Sequence, residues 1–262
     1  MKRLTYYVKI WLKMSENSFV TMLSQKIGAA IFLTGKILRF IFFLSFLYFI
    51  LKGAQRLAGY NTHQAIFFFL TFNVVDVFSQ FLFREVYRFR PLVVSGDFDL
   101  ILLKPMSALF RVLMGGADAF DFITIPPLLF AVYFVGRLLD PGILQIFLYI
   151  FLLANGLLIA TAFHIAVISL GIITLEIDHT IMIYRDIMNL GRFPTDIYKQ
   201  PLQGVLTYLI PVGIMITLPA KALMGLVTPV GVLASFIFSG LAIFMSLKFW
   251  NYALKQYTSA SS

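Results

Sequence analysis

The chain has 262 residues, of which 60% are hydrophobic and only 13% charged, and its mean hydropathy is +0.89. A water-soluble domain of this size does not tolerate that balance, so the chain reads as a polytopic membrane protein. A net charge of +9 would suggest nucleic acid in a soluble protein, but here the Lys and Arg fall mainly between apolar runs and report topology, while the absence of cysteine excludes a disulfide framework and a thiolate metal site.

A helix needs about 20 apolar residues to cross the roughly 30 Å hydrocarbon layer, where only helices and closed barrels satisfy every backbone polar group. The expected fold is an all-α integral membrane protein with six transmembrane helices, one transmembrane domain over residues 1–262. Residues 1–26 scatter Lys2, Arg3, Lys9 and Lys13 among Tyr6, Tyr7, Ile10, Trp11, Leu12 and Phe19. They lack a continuous signal-peptide core and a small-residue cleavage site, which predicts a retained amphipathic helix lying in the interface. The first span is expected from Ala30 to Leu51 and the second from His63 to Phe83, joined by a polar turn with Gly53, Gly59 and Asn61. Asp76 lies near the middle of the second span, on one face with Asn73 and Gln80, and Arg39 of the first span reaches a similar depth. A lone carboxylate there is costly, so Arg39 and Asp76 are expected to form a buried ion pair.

Residues 84–116 form a loop in which Ser95 is expected to cap a short helix over residues 96–104. Asp97 and Asp99 stand in its first turn, Leu100 to Leu103 in its middle, and Lys104 precedes the stop at Pro105. Such a short apolar-faced helix requires a protein partner or the membrane surface. The third span is expected from Ala119 to Gly136, with Asp118 and Asp121 at its hydrated mouth. From Gly142 to Leu175 no Asp, Glu, Lys or Arg occurs; these 34 residues would make roughly 51 Å of helix, too much for one ordinary span. Two helices are expected to share the run, with a turn near Thr161 to His164 and the fifth span reaching about Tyr184. That division puts Glu176, Asp178 and His179 at the outer end of the fifth span, where interfacial solvation or cation binding would account for them.

Five of the ten prolines, Pro194, Pro201, Pro211, Pro219 and Pro229, lie within residues 191–229, and Pro211 interrupts the charge-free run 202–218. A continuous helix there would lose a hydrogen bond and suffer a ring clash. A broken, re-entrant pair dipping in from the outer face is expected, followed by the last span from Val230 to Leu247. With both termini inside, 14 of the 21 Lys and Arg fall on the cytosolic side, which orients the set.

No nucleotide-hydrolysing motif is present. Gly35-Lys36-Ile37 has Ala30 where a P-loop needs its first glycine and no hydroxyl after the lysine, and His63, His164 and His179 form no His-Glu-x-x-His motif.

Gly59-Tyr60-Asn61, Phe83-Arg84, the loop Ser95-Gly96-Asp97-Phe98-Asp99-Leu100-Ile101-Leu102-Leu103-Lys104-Pro105, Gly191-Arg192-Phe193-Pro194 with Ile197-Tyr198, Pro211, Leu218-Pro219-Ala220, Phe249-Trp250 and Tyr257-Thr258-Ser259-Ala260-Ser261-Ser262 follow one another along the chain. In that order they resemble permease subunits of ABC-2 type ATP-binding-cassette transporters, in a subgroup formerly catalogued as an uncharacterised bacterial membrane family. The resemblance implies an interfacial amino-terminal helix, a cytosolic coupling helix made by Gly96, Asp97, Asp99, Leu100, Leu102, Leu103, Lys104 and Pro105, and an outer re-entrant segment marked by Pro194, Pro211 and Pro219. It also implies a permease dimer, either a homodimer or a paralogous heterodimer, docked on two separate ATPase subunits in the bacterial inner membrane. ATP and Mg would then sit on the partner ATPase and no cofactor on this chain; nucleic acid is not an expected partner. Tyr60 stands where the family's loop carries tryptophan. The competing classes are a membrane-embedded enzyme of lipid metabolism, for which Asp118 and Asp121 are the nearest candidates, and an ion-coupled secondary transporter, which would show repeated halves that this chain lacks.

Overall fold

Long apolar runs without internal breakers become helices because the bilayer offers their peptide groups no other partner. The computed structural model describes residues 2–54, 56–174 and 177–258. Among these, five helices are long and apolar enough to cross a membrane. The chain runs through α1 (Lys2–Ser24), α2 (Lys26–Ala54) and α3 (Thr62–Phe83). A 3-10 turn, Arg84–Arg88, leads into three short helices, α4 (Phe89–Val94), α5 (Asp97–Leu102) and α6 (Ala108–Leu113). Two long helices follow, α7 (Ala119–Arg137) and α8 (Ile143–Thr174), then α9 (Ile177–Asn189). The remainder is the short α10 (Leu202–Gly204) and α11 (Leu218–Leu223), and the long α12 (Pro229–Gln256).

α3 fixes two reference ends. At its start Asn61 accepts the Gln64 N–H at 3.0 Å while the Gln64 side chain accepts the Asn61 N–H at 2.9 Å, a reciprocal cap that begins the helix beside Tyr60. At its far end the chain passes through Arg84 into the loop helices. α1 docks across this Arg84 end: Ser15 Oγ accepts the Ala117 N–H at 3.1 Å, Tyr7 accepts the Ser107 N–H at 3.1 Å, and Trp11 meets Phe81 edge-on at 6.0 Å.

The expected turn at Thr161 to His164 is absent. α8 is one helix of 32 residues, roughly 48 Å long, and crosses the core once. Its polar residues do not break it because they bond back to carbonyls of the preceding turn: Thr161 to Leu157 O at 2.8 Å, His164 Nδ1 to Ala160 O at 2.8 Å and Ser169 to Ile165 O at 2.7 Å. The consequence is a reversed position for the next segment. Asp178 pairs with Arg90 of α4 at 3.3 Å, so it lies at the Arg84 end, opposite to the placement expected from two helices; Glu176 lies outside the described residues.

From there the chain recrosses along a broken path. Tyr184 of α9 packs on His164, Arg192 stacks over Phe43 and Phe72 near the middle of α2 and α3, and Asp196 meets Tyr60 and Lys221 at the Tyr60 end. The fifth crossing is therefore α9 extended by the 3-10 turns Leu190–Arg192 and Thr195–Ile197, and it continues well beyond Tyr184.

Leu202–Leu209 and Gly213–Leu223 follow, bent by 76° at Pro211, and both arms adjoin the break through π-helical turns. Both outer ends of this hairpin converge on Asp196, which takes Lys221 Nζ at 2.7 Å and Gln203 Nε2 at 3.4 Å. The pair dips and returns to the Tyr60 end. Its deepest part presses on α8, where the Met215 carbonyl comes within 2.6 Å of the place a Cβ on Gly156 would occupy.

α8 and α12 run parallel and pack along much of their length. α12 turns Ser235, Ser239, Ser246 and Ala253 inward, small side chains that let two backbones approach closely. The three serines donate to their own i−3 carbonyls at 2.6 to 2.9 Å, so no hydroxyl proton faces hydrocarbon unpaired. α12 extends to Gln256, nine residues past the expected end of the last span at Leu247. The carboxyl-terminal Ser259 to Ser262 lie outside the described residues.

Two measurements check this topology. Cysteines placed singly at Lys199 and at Leu226, both exposed, are expected to react with an impermeant label from the same side of the membrane; reaction from opposite sides would make the hairpin a spanning helix. Gly156→Ala is expected to lower stability by about 1 to 3 kcal/mol through overpacking against the Met215 backbone, read as a lower melting temperature of the purified protein, while Gly240→Ala, with open space around it, leaves melting unchanged.

Candidate functional site

The loop at the Arg84 end carries α5, six residues long. Gly96, in the left-handed conformation with φ of 79°, is the residue that opens it; a side chain there would be strained. Ser95 acts one position earlier than expected, donating to the Asp97 carboxylate at 2.7 Å and accepting the Asp97 N–H at 3.4 Å. The helix ends at Leu102, with the Leu103 N–H making the last helical bond to Asp99 O at 3.2 Å, and Leu103 to Pro105 form the exit turn.

α5 has two faces. Phe98 and Ile101 are buried, with Phe98 edge-on to Phe89 at 5.2 Å, to Trp250 at 6.5 Å and to Tyr257 at 5.0 Å. Leu100, Leu102 and Leu103 point outward, Leu103 being 82% exposed. The expected apolar surface of Leu100 to Leu103 thus lacks Ile101, which belongs to the anchor. Beneath the loop, Arg111 Nη1 holds Glu85 Oε1 at 2.7 Å and ties α6 to the turn after α3.

The second region is a cavity of about 300 Å³ between α2, α3, α7 and the turn at Arg192. Arg39 and Asp76 face each other across it, Nη2 to Oδ2 at 4.0 Å. They meet at the expected depth, but the pair is long and Arg39 is 52% exposed, so it is not the buried brace the sequence suggested. Arg192 enters the same space over the Phe43 and Phe72 rings, 5.3 and 5.7 Å from their centroids.

Two other pairs are the buried ones. Asp121 is paired with Lys36 of α2 and is 1% exposed; Asp118, equally buried, accepts Arg84 Nε at 3.1 Å. Asp118 also caps α7, accepting the N–H groups of Phe120 at 2.8 Å and Asp121 at 3.1 Å. The expected hydrated mouth of the third span is therefore a dry, paired one, and both carboxylates are committed to cations. Sequence reasoning missed the pairing of Lys36 because Asp121 lies 85 positions away on another helix; a lysine inside an apolar run was itself the available signal. Among the described residues no group of three His, Cys, Asp or Glu is placed to hold a metal ion.

At the opposite end, Tyr60 donates to Asp196 Oδ2 at 2.8 Å. Burial first, and then that donation to a carboxylate, hold the Tyr60 phenol well above its ordinary range, so it stays a donor. Pro194 precedes this clamp, Pro211 forms the apex of the hairpin and Pro219 lies in the first turn of α11.

Lys36→Met is expected to destabilise the protein by about 3 to 5 kcal/mol, because it strands the Asp121 charge in a dry site. Lys36→Met combined with Asp121→Leu should recover most of that loss in thermal melting of the purified chain. Equal melting for the single and double variants would mean that the pair is not what costs.

No curated protein and no solved structure matches the chain. A family described as ABC-2 family transporter protein matches residues 37–261, which takes in α3, the loop helices, α7 to α12 and most of α2. A bundle of crossing helices with a broken hairpin at one end and a helical loop at the other thus has a family to go with it: the chain belongs to the ABC-2 transporter family and is a multi-pass membrane permease of that type.

Proposed function

We propose that the chain is one half of the substrate pathway of an exporter, paired with a second permease copy and driven by two separate ATPase subunits that dock on α5. The observation that carries this reading is the split face of α5. A six-residue helix cannot hold itself in water, and Phe98 and Ile101 seat it on α4 and α12. Leu100, Leu102 and Leu103 then form a small apolar surface with Asp97, Asp99 and Lys104 around it, fixed in orientation by the anchor below. An apolar centre with a charged rim is the usual anatomy of a protein contact.

Family membership supports ATP-binding partners in general. ATP and Mg belong to those partners in this reading, and this chain couples their motion to the bundle. The second permease copy has a natural place in it as well. Ile31, Phe42, Phe46 and Phe49 of α2 are exposed apolar residues in the single chain and are suited to lipid or to a like helix. Basic residues support an inward Arg84 end. Once Arg185 and Arg192 are placed within the fifth crossing, the Tyr60 end keeps Lys52, Arg56, Arg137, Lys199 and Lys221, against the larger set from α1, the loop and the end of α12. Both termini are then cytoplasmic in a bacterial plasma membrane, and the Pro211 hairpin faces outward.

Leu103→Asp and Leu102→Asp are each expected to cut copurification of the ATPase subunits by about tenfold or more, equivalent to roughly 1.4 kcal/mol of docking, with membrane insertion and melting unchanged. Intact-complex mass spectrometry reads the stoichiometry directly. Normal stoichiometry for both variants would remove α5 as the docking element. Phe98→Ala is expected to behave differently, lowering melting by the loss of a fully buried ring, about 3 to 5 kcal/mol.

A further inference from the structure

The cavity between α2 and α3 carries a charge that the chain does not balance. Lys36 lines it but is neutralised by Asp121. That leaves Arg39 and Arg192 against Asp76 alone, an excess of one positive charge in a space whose remaining wall is mostly ring and aliphatic carbon. Arg192 has no carboxylate within ion-pair distance among the described residues; its neighbours are the faces of Phe43 and Phe72. A guanidinium held between rings in a low-dielectric site interacts strongly with any anion that reaches it.

The wall beside it is built from stacked aromatics. Phe43 lies on Phe69 with centroids 4.3 Å apart and planes 24° from parallel, and Phe72 continues the stack at 6.4 Å and 22°. Flat apolar faces next to a cationic corner suit a molecule that is anionic at one end and hydrocarbon at the other. The rim fits entry from the bilayer, since Ile37, which lines the cavity, is itself about half exposed on α2 next to exposed Leu38 and Ile41. At about 300 Å³ the space accepts a head group and the first part of a tail, not a whole lipid.

We propose that this cavity binds the anionic head of an amphiphile drawn from the bilayer, with Arg192 and Arg39 on the anion and the Phe43, Phe69 and Phe72 rings against the start of its tail. Asp76 sets the selectivity. It cancels one guanidinium, so that a monoanion balances the site and a zwitterion does not. That this amphiphile is the cargo rests on the permease reading above; the binding itself does not require the ATPase.

The test is equilibrium binding of a fluorescent-tailed dodecyl methyl phosphate, a phosphodiester monoanion, to the purified chain in a non-ionic maltoside detergent. Unlabelled dodecyl methyl phosphate is expected to displace it, dodecylphosphocholine to do so about tenfold more weakly or worse, and inorganic phosphate not to displace it at a hundredfold higher concentration. Arg192→Gln should weaken binding about tenfold. Ile37→Trp, which narrows the mouth from an exposed position and changes no charge, should weaken it as well and covers the case in which Arg192→Gln fails to fold. Equal competition by the phosphocholine, displacement by inorganic phosphate, or wild-type binding by Ile37→Trp would each overturn the proposal. Leu103→Asp separates the two readings. Amphiphile binding that survives in it while ATPase copurification is lost supports both, absent binding with an intact ATPase complex sinks the cavity alone, and binding to a chain that recruits no ATPase even as wild type sinks the driven permease alone.

Discussion

The continuity of α8 is the constraint from which the rest of the topology follows. Because Ile143–Thr174 crosses without a turn, the chain emerges at the Arg84 end and must recross before α12 can start beside the hairpin. The return segment begins as α9, with Arg185 and Asp186 exposed on it in the single chain, and then gives up regular helix for 3-10 turns. It can do so because α3, α8 and the hairpin surround it, and irregular backbone at membrane depth is tolerated where protein covers it. Gly191 is part of that cover: a Cβ there would fall within 2.7 Å of Ile216 and Val212 side-chain carbons. The same route carries Arg192 to the middle of the bundle, so a cavity cation with no carboxylate partner among the described residues is a product of how the fifth crossing is made.

How much of this was legible in the sequence divides along physical lines. The ends of α3 and α7, the proline break at Pro211 and the existence of a helix near Asp97 could be read because caps, prolines and apolar length act locally. The single α8 could not. Length argued for two helices, and only the back-bonding of Thr161, His164 and Ser169, invisible in a hydropathy profile, shows why polar residues there do not mark a turn. Charge pairing failed for a related reason. Arg39 and Asp76 were matched by depth on adjacent helices, and they do face one another, but Lys36 and Asp121 are separated by 85 positions and their meeting depends on how α2 leans on α7. Ser95 illustrates the limit of motif reasoning on a smaller scale: its residue type was right for a cap, yet the left-handed Gly96 takes the capping position and shifts the helix by one residue.

At the Arg84 end, packing joins the loop to the longest helices. Phe98 lies among Phe89, Trp250 and Tyr257, within a cluster that also takes Ile168 and Ile172 of α8 and Val112 of α6. Cores at this density do not deform continuously, so a displacement of α5 that keeps Phe98 seated has to move the last turns of α12 with it. α12 in turn lies on α8 through its serine face, which permits sliding better than interlocked branched side chains would. A force applied at Leu103 therefore has a continuous packed route to the helix that supports the hairpin through Gly156 and Met215.

α2 stands apart from that route. Its outer residues face away from the chain, and what holds it is a single stripe of Phe40, Phe43, Leu44, Leu47 and Leu51 together with the Lys36 to Asp121 pair. An ion pair in a dry site is strong at short range, so α2 is tethered at the Arg84 end while its middle rests on aromatic faces that can slide past one another. The charged cavity opens along that middle. A bundle built this way has one stiff part, α8 with α12 and the hairpin, and one compliant seam, between α2 and α3. The seam is where Arg39, Asp76 and Arg192 lie, and a small outward lean of α2 would lengthen the 4.0 Å contact between Arg39 and Asp76 and widen the cavity without disturbing a buried pair elsewhere.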